Sequence, residues 1–131
     1  MTRDDLIGAI RRANANGEWA ALVSSISESD DPERFTVIFG HAVEEQAIGV
    51  AVYDAARLLH EANPSCPIPC ELAVESMLPN WDVSIQEVPW YLKRQFGADG
   101  VKEAVKNVRK HVSSDGERST LDSILYWVGV D

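Results

Sequence analysis

Apolar residues recur at intervals of three and four along most of this chain, which is the spacing of one face of an α-helix. In the first segment one face carries Leu6, Ile7, Ile10 and Ala13, and Gly17 follows as a helix-terminating residue. The same spacing returns in later segments, which short loops separate. We therefore expect an all-α fold of about seven short helices, arranged as antiparallel pairs or as a compact right-handed helical array.

The second quarter of the chain must contain a helix boundary. Asp31 and Pro32 form a strong helix start, because aspartate caps the first turn and proline suits its first position. A single helix over residues 32–63 would be roughly 48 Å long at 1.5 Å per residue. That length exceeds the width of a domain of this size, so we expect a break at residues 40–41 or at Gly49.

Local signals elsewhere define further boundaries. Aromatic and β-branched residues at 35–39 favour a short strand there as an alternative to helix. Three prolines within residues 64–69 exclude a helix in that loop. Ser84 and Glu87 have the spacing of a capping box, which predicts that they open the next helix, and Gly97 is predicted to end it.

The chain length of 131 residues suggests one domain over 1–131. Within it we expect N-terminal helices in 1–62 and paired helices in 70–128. No apolar run approaches the ~20 residues of a membrane span, and the N-terminus lacks the apolar stretch of a secretory signal. These features predict a cytoplasmic protein, in which the two cysteines remain thiols.

Negative charge is concentrated in the middle of the chain. The formal net charge is −9, but residues 13–92 hold thirteen acids and only two arginines, a local charge of −11. Such an excess argues against nucleic-acid binding, which needs a basic surface. One interpretation is an acidic surface that faces a basic partner. The alternative is that the charge serves solubility alone.

Catalytic and metal-binding patterns are absent from the sequence. It contains no glycine-rich phosphate loop, no serine elbow and no His-Glu-x-x-His helix. His60, Cys66 and Cys70 are three candidate ligands at an unusual spacing, whereas structural zinc takes four, commonly in closely spaced pairs. We therefore expect no enzyme activity, no cofactor and no metal.

A different class of function remains open around His41. This histidine precedes Glu44 and Glu45 by about one helical turn. A pocket that contained these three side chains would favour a small α-helical ligand-binding or enzymatic domain. A packed interior at that place would exclude it.

Aromatic residues cluster around the acidic segment 71–87. Trp81 lies in a predicted turn, where an indole is less often needed for packing, and exposed tryptophan beside carboxylates is typical of interface anchors. The alternative is that Trp81 folds back under the following helix. The predicted partner-binding residues are Glu71, Glu75, Trp81, Asp82, Glu87, Trp90 and Tyr91.

The C-terminal half, from about Cys70, resembles HEAT-like helical repeats. The resemblance rests on residues 78–84 (Leu-Pro-Asn-Trp-Asp-Val-Ser), on an amphipathic helix that begins near Val101, and on residues 125–129 (Leu-Tyr-Trp-Val-Gly). It is similar to small bacterial HEAT-type proteins, several of which are immunity proteins encoded beside secreted toxins. The Trp-Asp turn occurs only once, so the repeat-to-repeat identity of that pattern is missing.

This resemblance implies a non-enzymatic protein-binding domain. Together with the local acidity it suggests an immunity protein that neutralises a basic toxin by blocking its active cleft. A second hypothesis is an acidic adaptor or DNA mimic that regulates a nucleic-acid-binding protein. That hypothesis predicts carboxylates spaced like phosphates along one face, whereas the toxin blocker predicts acids gathered in one concavity.

Overall fold

The computed structural model describes residues 2–28, 31–44 and 52–130. These residues form seven α-helices and no strand, which confirms the prediction of an all-α fold. The helices are α1 (Arg3–Asn16), α2 (Trp19–Ser27), α3 (Pro32–Ala42), α4 (Val52–Ala62), α5 (Cys70–Met77), α6 (Glu87–Arg109) and α7 (Asp115–Val128).

Capping residues position the first and third helices. The hydroxyl of Thr2 accepts from the Asp5 backbone N–H at 3.1 Å, and the Asp5 carboxylate accepts from the Thr2 N–H at 2.9 Å. Gly17 then ends α1 with a φ of 68°, which glycine adopts without steric cost. Asp31 caps α3 through its carboxylate, and Pro32 occupies the first position of the helix.

Residues 35–39 lie inside α3, so the alternative of a short strand is wrong. Phe35, Ile38 and Phe39 are buried on one face of the helix, at spacings of three and four. The rings of Phe35 and Phe39 stack with their centroids 5.2 Å apart. Burial of this stripe, together with the strong helix start at residue 31, outweighs the weak β-propensity of the individual residues.

The helical stretch 32–63 is broken, as predicted. α3 ends at Ala42, just past the predicted break at residues 40–41, and α4 begins at Val52. The other predicted break, Gly49, lies outside the described residues. α4 ends where Asn63 adopts a φ of 48°, a left-handed conformation that asparagine tolerates well.

Gly97 divides α6 into two helical halves. Its φ of 78° and ψ of 158° interrupt the helix, as the sequence predicted. The predicted capping box at the start of α6 is wrong. Ser84 bonds instead to Asp82, whose Oδ1 accepts from both the backbone N–H and the hydroxyl of Ser84, and the helix begins later, at Glu87.

The buried apolar side chains of all seven helices form one continuous cluster. α3 packs on α4, and both α5 and α7 pack on α6. α4 and the first half of α6 run parallel. Tyr53 near the start of α4 bonds to Glu87 at the start of α6, and seven residues later along each helix Arg94 Nη1 donates to the His60 carbonyl at 2.7 Å.

None of the helices in the described part of the chain has the length and apolar content that crossing a bilayer requires.

Candidate functional site

The residues predicted to bind a partner differ in exposure. Glu71 and Glu75 are exposed, and Asp82 and Trp90 are partly buried. Trp81, Glu87 and Tyr91 are buried, with 5%, 6% and 0% of their surface exposed. A contact residue needs an accessible side chain. These three residues are therefore structural in this fold, and this part of the prediction is corrected.

Trp81 is buried because the turn folds back on itself. Its indole N–H donates to the backbone carbonyl of Ile85 at 3.2 Å, and both side chains belong to the apolar core. The alternative interpretation of Trp81, that it packs under the following helix, is the one the structure supports.

Tyr91 is buried because it holds the proline-rich loop. Its hydroxyl donates to the Pro64 carbonyl at 2.7 Å, and burial raises the pKa of the phenol. Gln95, one turn further along α6, holds the same loop by donating to the side chain of Asn63 at 2.7 Å and accepting from the Cys66 N–H at 3.0 Å. Residues of α6 that lie 27 to 32 positions further along the sequence therefore hold the loop in place.

Glu87 is buried between α4 and α6. The hydroxyl of Tyr53 bonds to its carboxylate. This hydrogen bond, and secondly the negative charge of the carboxylate, raise the pKa of Tyr53. Oε1 of Glu87 is buried and has no hydrogen-bond partner among the described residues. The nearby Trp90 is held by its indole N–H, which donates to the carbonyls of Trp127 at 3.0 Å and Val130 at 3.2 Å.

The exposed acids of α5 flank an exposed leucine. Ala73, Val74 and Met77 face the core, so the opposite side of α5 points outward. We call the exposed residues Glu71, Leu72, Glu75 and Ser76 the α5 outer face. Leu72, a large apolar side chain, is 49% exposed. Glu71 is partly restrained, because Asn107 donates to it at 2.8 Å.

A second exposed apolar surface lies between the turn after α5 and the helix α7. A shallow groove of about 350 Å³ is lined by residues that we call the Tyr126 groove: Val83, Ser119, Asp122, Ser123, Tyr126 and Trp127. Tyr126 is 60% exposed, and Val83 is also exposed. The two aromatic rings of residues 126 and 127 meet edge to face, with centroids 4.9 Å apart.

Among the described residues, one carboxylate lines the Tyr126 groove. Asp122 contributes it and forms an ion pair of 2.7 Å with Arg109. Asp82 precedes the groove residue Val83 in the sequence, and its bonds to Ser84 hold the pKa of this carboxyl below its ordinary value, so it is ionised at neutral pH. Of the predicted residues, Asp82 is therefore the one next in sequence to a residue of this groove.

The sequence interpretation missed Leu72, Val83 and Tyr126. The exposure of Tyr126 could have been predicted from the apolar spacing of α7. The buried residues of that helix are the stripe Leu121, Ile124 and Val128. A tyrosine at position 126 lies off that stripe, on the side of the helix that faces away from the core.

The histidine and cysteine residues that the sequence offered as catalytic or metal-binding candidates are less accessible to solvent. His41 is buried in the core, and its Nδ1 lies 2.8 Å from Glu44, while Glu45 is outside the described residues. Cys66 and Cys70 are free thiols, and burial raises the pKa of both. No group of three or more His, Cys, Asp or Glu side chains suited to one metal ion occurs in residues 2–28, 31–44 and 52–130.

Comparisons with protein-family models, with curated proteins and with solved structures find no match to this chain. The resemblance to HEAT-like immunity proteins accordingly stays a prediction from the sequence.

Proposed function

We propose that this chain is a non-catalytic protein-binding domain whose partner has a basic surface. The observation that carries the proposal is the Tyr126 groove. Tyrosine and tryptophan are enriched among residues that dominate binding energy, and here both line a concave surface that stays exposed to solvent. Negative charge suits a partner with positive charge. Asp122, which pairs with Arg109, lies in the lining of the groove, and the ionised Asp82 precedes Val83 in the sequence.

The α5 outer face supports the same proposal. Leu72 offers apolar contact area, and Glu71 and Glu75 provide negative charge on either side of it. Exposed carboxylates of this kind accelerate encounter with a basic protein more than they add to the final affinity. The excess of acids over basic residues in 13–92 adds to this electrostatic attraction from other parts of the chain.

The more specific proposal is that the partner is a basic toxin and that the chain is its immunity protein. In this role it would block the toxin's active cleft sterically and electrostatically. The support is the resemblance of the C-terminal half to small bacterial immunity proteins, together with the acidic character of the chain. In this proposal the contact residues exclude Trp81, Glu87 and Tyr91, because those side chains are buried.

The test is to mix the purified chain with the protein product of the neighbouring gene and to measure binding by calorimetry at low salt. We expect saturable binding at micromolar concentration or below. Tyr126→Ala should weaken it by about tenfold or more, and Tyr126→Phe should retain most of the affinity because the ring remains. Arg118→Ala, an exposed change on the same helix, is the matched control. No binding at micromolar concentration would contradict the proposal.

A further inference from the structure

A larger groove lies on another part of the molecule, where the C-terminal end of α4 meets the first half of α6. Its volume is about 520 Å³, which is in the size range of small-molecule sites. We call it the His60 groove, and it is lined by His60, Trp90, Lys93, Arg94 and Val130. None of these residues lines the Tyr126 groove, so the two surfaces can be tested separately.

The aromatic side of the His60 groove is held in place before any ligand arrives. The indole of Trp90 is fixed by its two hydrogen bonds to backbone carbonyls near the end of the chain. The imidazole of His60 lies 5.7 Å from it, centroid to centroid, at an angle of 50°. Trp127 supports the other edge of Trp90 at 6.4 Å, in an edge-to-face contact. A flat ring could therefore contact Trp90 without reordering the site.

Some polar atoms of the residues that line the groove have no hydrogen-bond partner in the described part of the chain. Arg94 donates one hydrogen bond through Nη1 to the carbonyl of His60, and its other guanidinium nitrogens have no partner in the described part of the chain. Nδ1 of His60 is buried and has no hydrogen-bond partner there either. Because this nitrogen is buried, the part of His60 that lines the groove is the rest of its side chain.

The described residues that line the groove differ in charge from the chain as a whole. Among them are two cationic residues and no carboxylate, although the chain has a net charge of −9. Lys93 already interacts with another group. Arg94 is thus the cation that can meet a ligand, and a guanidinium binds a carboxylate through two parallel hydrogen bonds. One available cation beside a neutral imidazole matches a single negative charge better than a dianion.

We propose that the His60 groove binds a small molecule in which a carboxylate is attached to a flat aromatic ring. The carboxylate bonds to the guanidinium of Arg94, and the ring lies against Trp90. The proposal does not depend on a protein partner.

The experiment is an NMR titration of the isotope-labelled chain with indole-3-carboxylate. We expect saturable shifts of the Trp90 indole and His60 imidazole signals, with a Kd of about 1 mM, as is typical for a ligand of this size. Benzamide, which has a ring but no charge, and acetate, which has a charge but no ring, should each bind at least about tenfold more weakly. Arg94→Gln should weaken binding of indole-3-carboxylate by about tenfold.

Controls make each outcome decisive. Arg118→Gln, an exposed arginine on α7, should leave the Kd unchanged, and circular dichroism should show that the Arg94→Gln variant is folded. The proposal fails if benzamide binds as well as indole-3-carboxylate, or if Arg94→Gln binds it normally. Tighter binding of phenyl phosphate than of indole-3-carboxylate would overturn the assignment to a carboxylate.

Discussion

The indole N–H of Trp81 donates a hydrogen bond of 3.2 Å to the backbone carbonyl of Ile85. This contact closes the turn between α5 and α6 and places the indole in the core rather than on the surface. Trp81 stabilises the fold in two ways. Its large apolar ring is buried, and its N–H satisfies the Ile85 carbonyl, which would otherwise lose its hydrogen-bond partner.

Replacing Trp81 should therefore destabilise the fold. Trp81→Phe leaves the Ile85 carbonyl without its donor and a gap beside the smaller ring, so we expect a loss of about 1–3 kcal/mol in the free energy of unfolding. Urea denaturation measures it. The matched control is Trp19→Phe, because Trp19 is partly exposed and its N–H reaches the exposed Glu61 at 3.0 Å. If Trp19→Phe lowers the free energy of unfolding as much as Trp81→Phe does, the structural role of Trp81 is contradicted.

Gly97 should resist substitution. Its φ of 78° and ψ of 158° are accessible to glycine and costly for any residue with a Cβ, so Gly97→Ala should lower the free energy of unfolding by about 1–3 kcal/mol. Gly40→Ala is the control, because Gly40 is helical and a Cβ there meets no atom within 4 Å. That variant should gain up to about 1 kcal/mol. Equal effects of the two substitutions in thermal or urea unfolding would refute this account.

Charge reversal on the α5 outer face should slow association with the basic partner. Glu71→Lys with Glu75→Lys removes steering, so we expect the association rate at low salt to fall about tenfold and to depend less on salt. The control pair, Glu28→Lys with Glu103→Lys, makes the same change in net charge at exposed positions elsewhere. Stopped-flow kinetics measures the association rate of each double variant. If both pairs slow association equally, the α5 outer face is not part of the interface.

Stability should depend on pH through His60. Its pKa lies below the ordinary value of 6.5 because of burial and the positive charge of Arg94, against which Glu87 and Glu61 act. The unfolded chain then binds a proton more readily than the folded chain. Stability is therefore complete above pH 6.5 and declines as pH falls through the lowered pKa.

The substitution His60→Asn should flatten this decline. Urea unfolding between about pH 5 and pH 7.5 measures the slope in each protein. Lys93, the other cationic residue that lines the groove, is present in both proteins. The exposed His111 provides the control variant, His111→Asn, which we expect to retain the slope of the parent. If His60→Asn and the parent lose stability equally on acidification, His60 does not cause the dependence.

The thiols of the folded chain should react slowly with alkylating reagents. Burial raises the pKa of Cys70 from 9.0 to about 11, with a smaller contribution from the charge of Cys66. A two-unit shift lowers the thiolate fraction at neutral pH by about 100-fold, and the thiolate is the reactive species. Iodoacetamide labelling in native buffer and in urea compares the two states. Equal rates in both would show that Cys70 is not protected.

Helix boundaries were the most predictable part of this fold. The capping residue Asp31, the proline-rich loop at 64–69 and the break at Gly97 act through atoms within a few residues of themselves, and all three are present as predicted. The predicted strand at 35–39 was wrong because β-propensity is weaker than the burial of a helical stripe.

The candidate site was harder to predict, because exposure depends on which distant elements meet. Tyr91 is buried because its hydroxyl reaches Pro64, 27 residues away, and Glu87 is buried because Tyr53 lies on the adjacent helix. Neither contact leaves a periodic signal in the sequence. The same is true of the His60 groove, which depends on the parallel packing of α4 and α6.

The helical class, most helix ends and the excess of acids in residues 13–92 can be read from the amino-acid sequence. These properties depend on local spacing and on composition. The inward position of Trp81, the exposure of Tyr126 and the shared groove of Arg94 and His60 become visible only in the folded chain. Burial and neighbouring contacts arise from the packing of helices far apart in the chain, whereas caps and turns arise from neighbours in sequence.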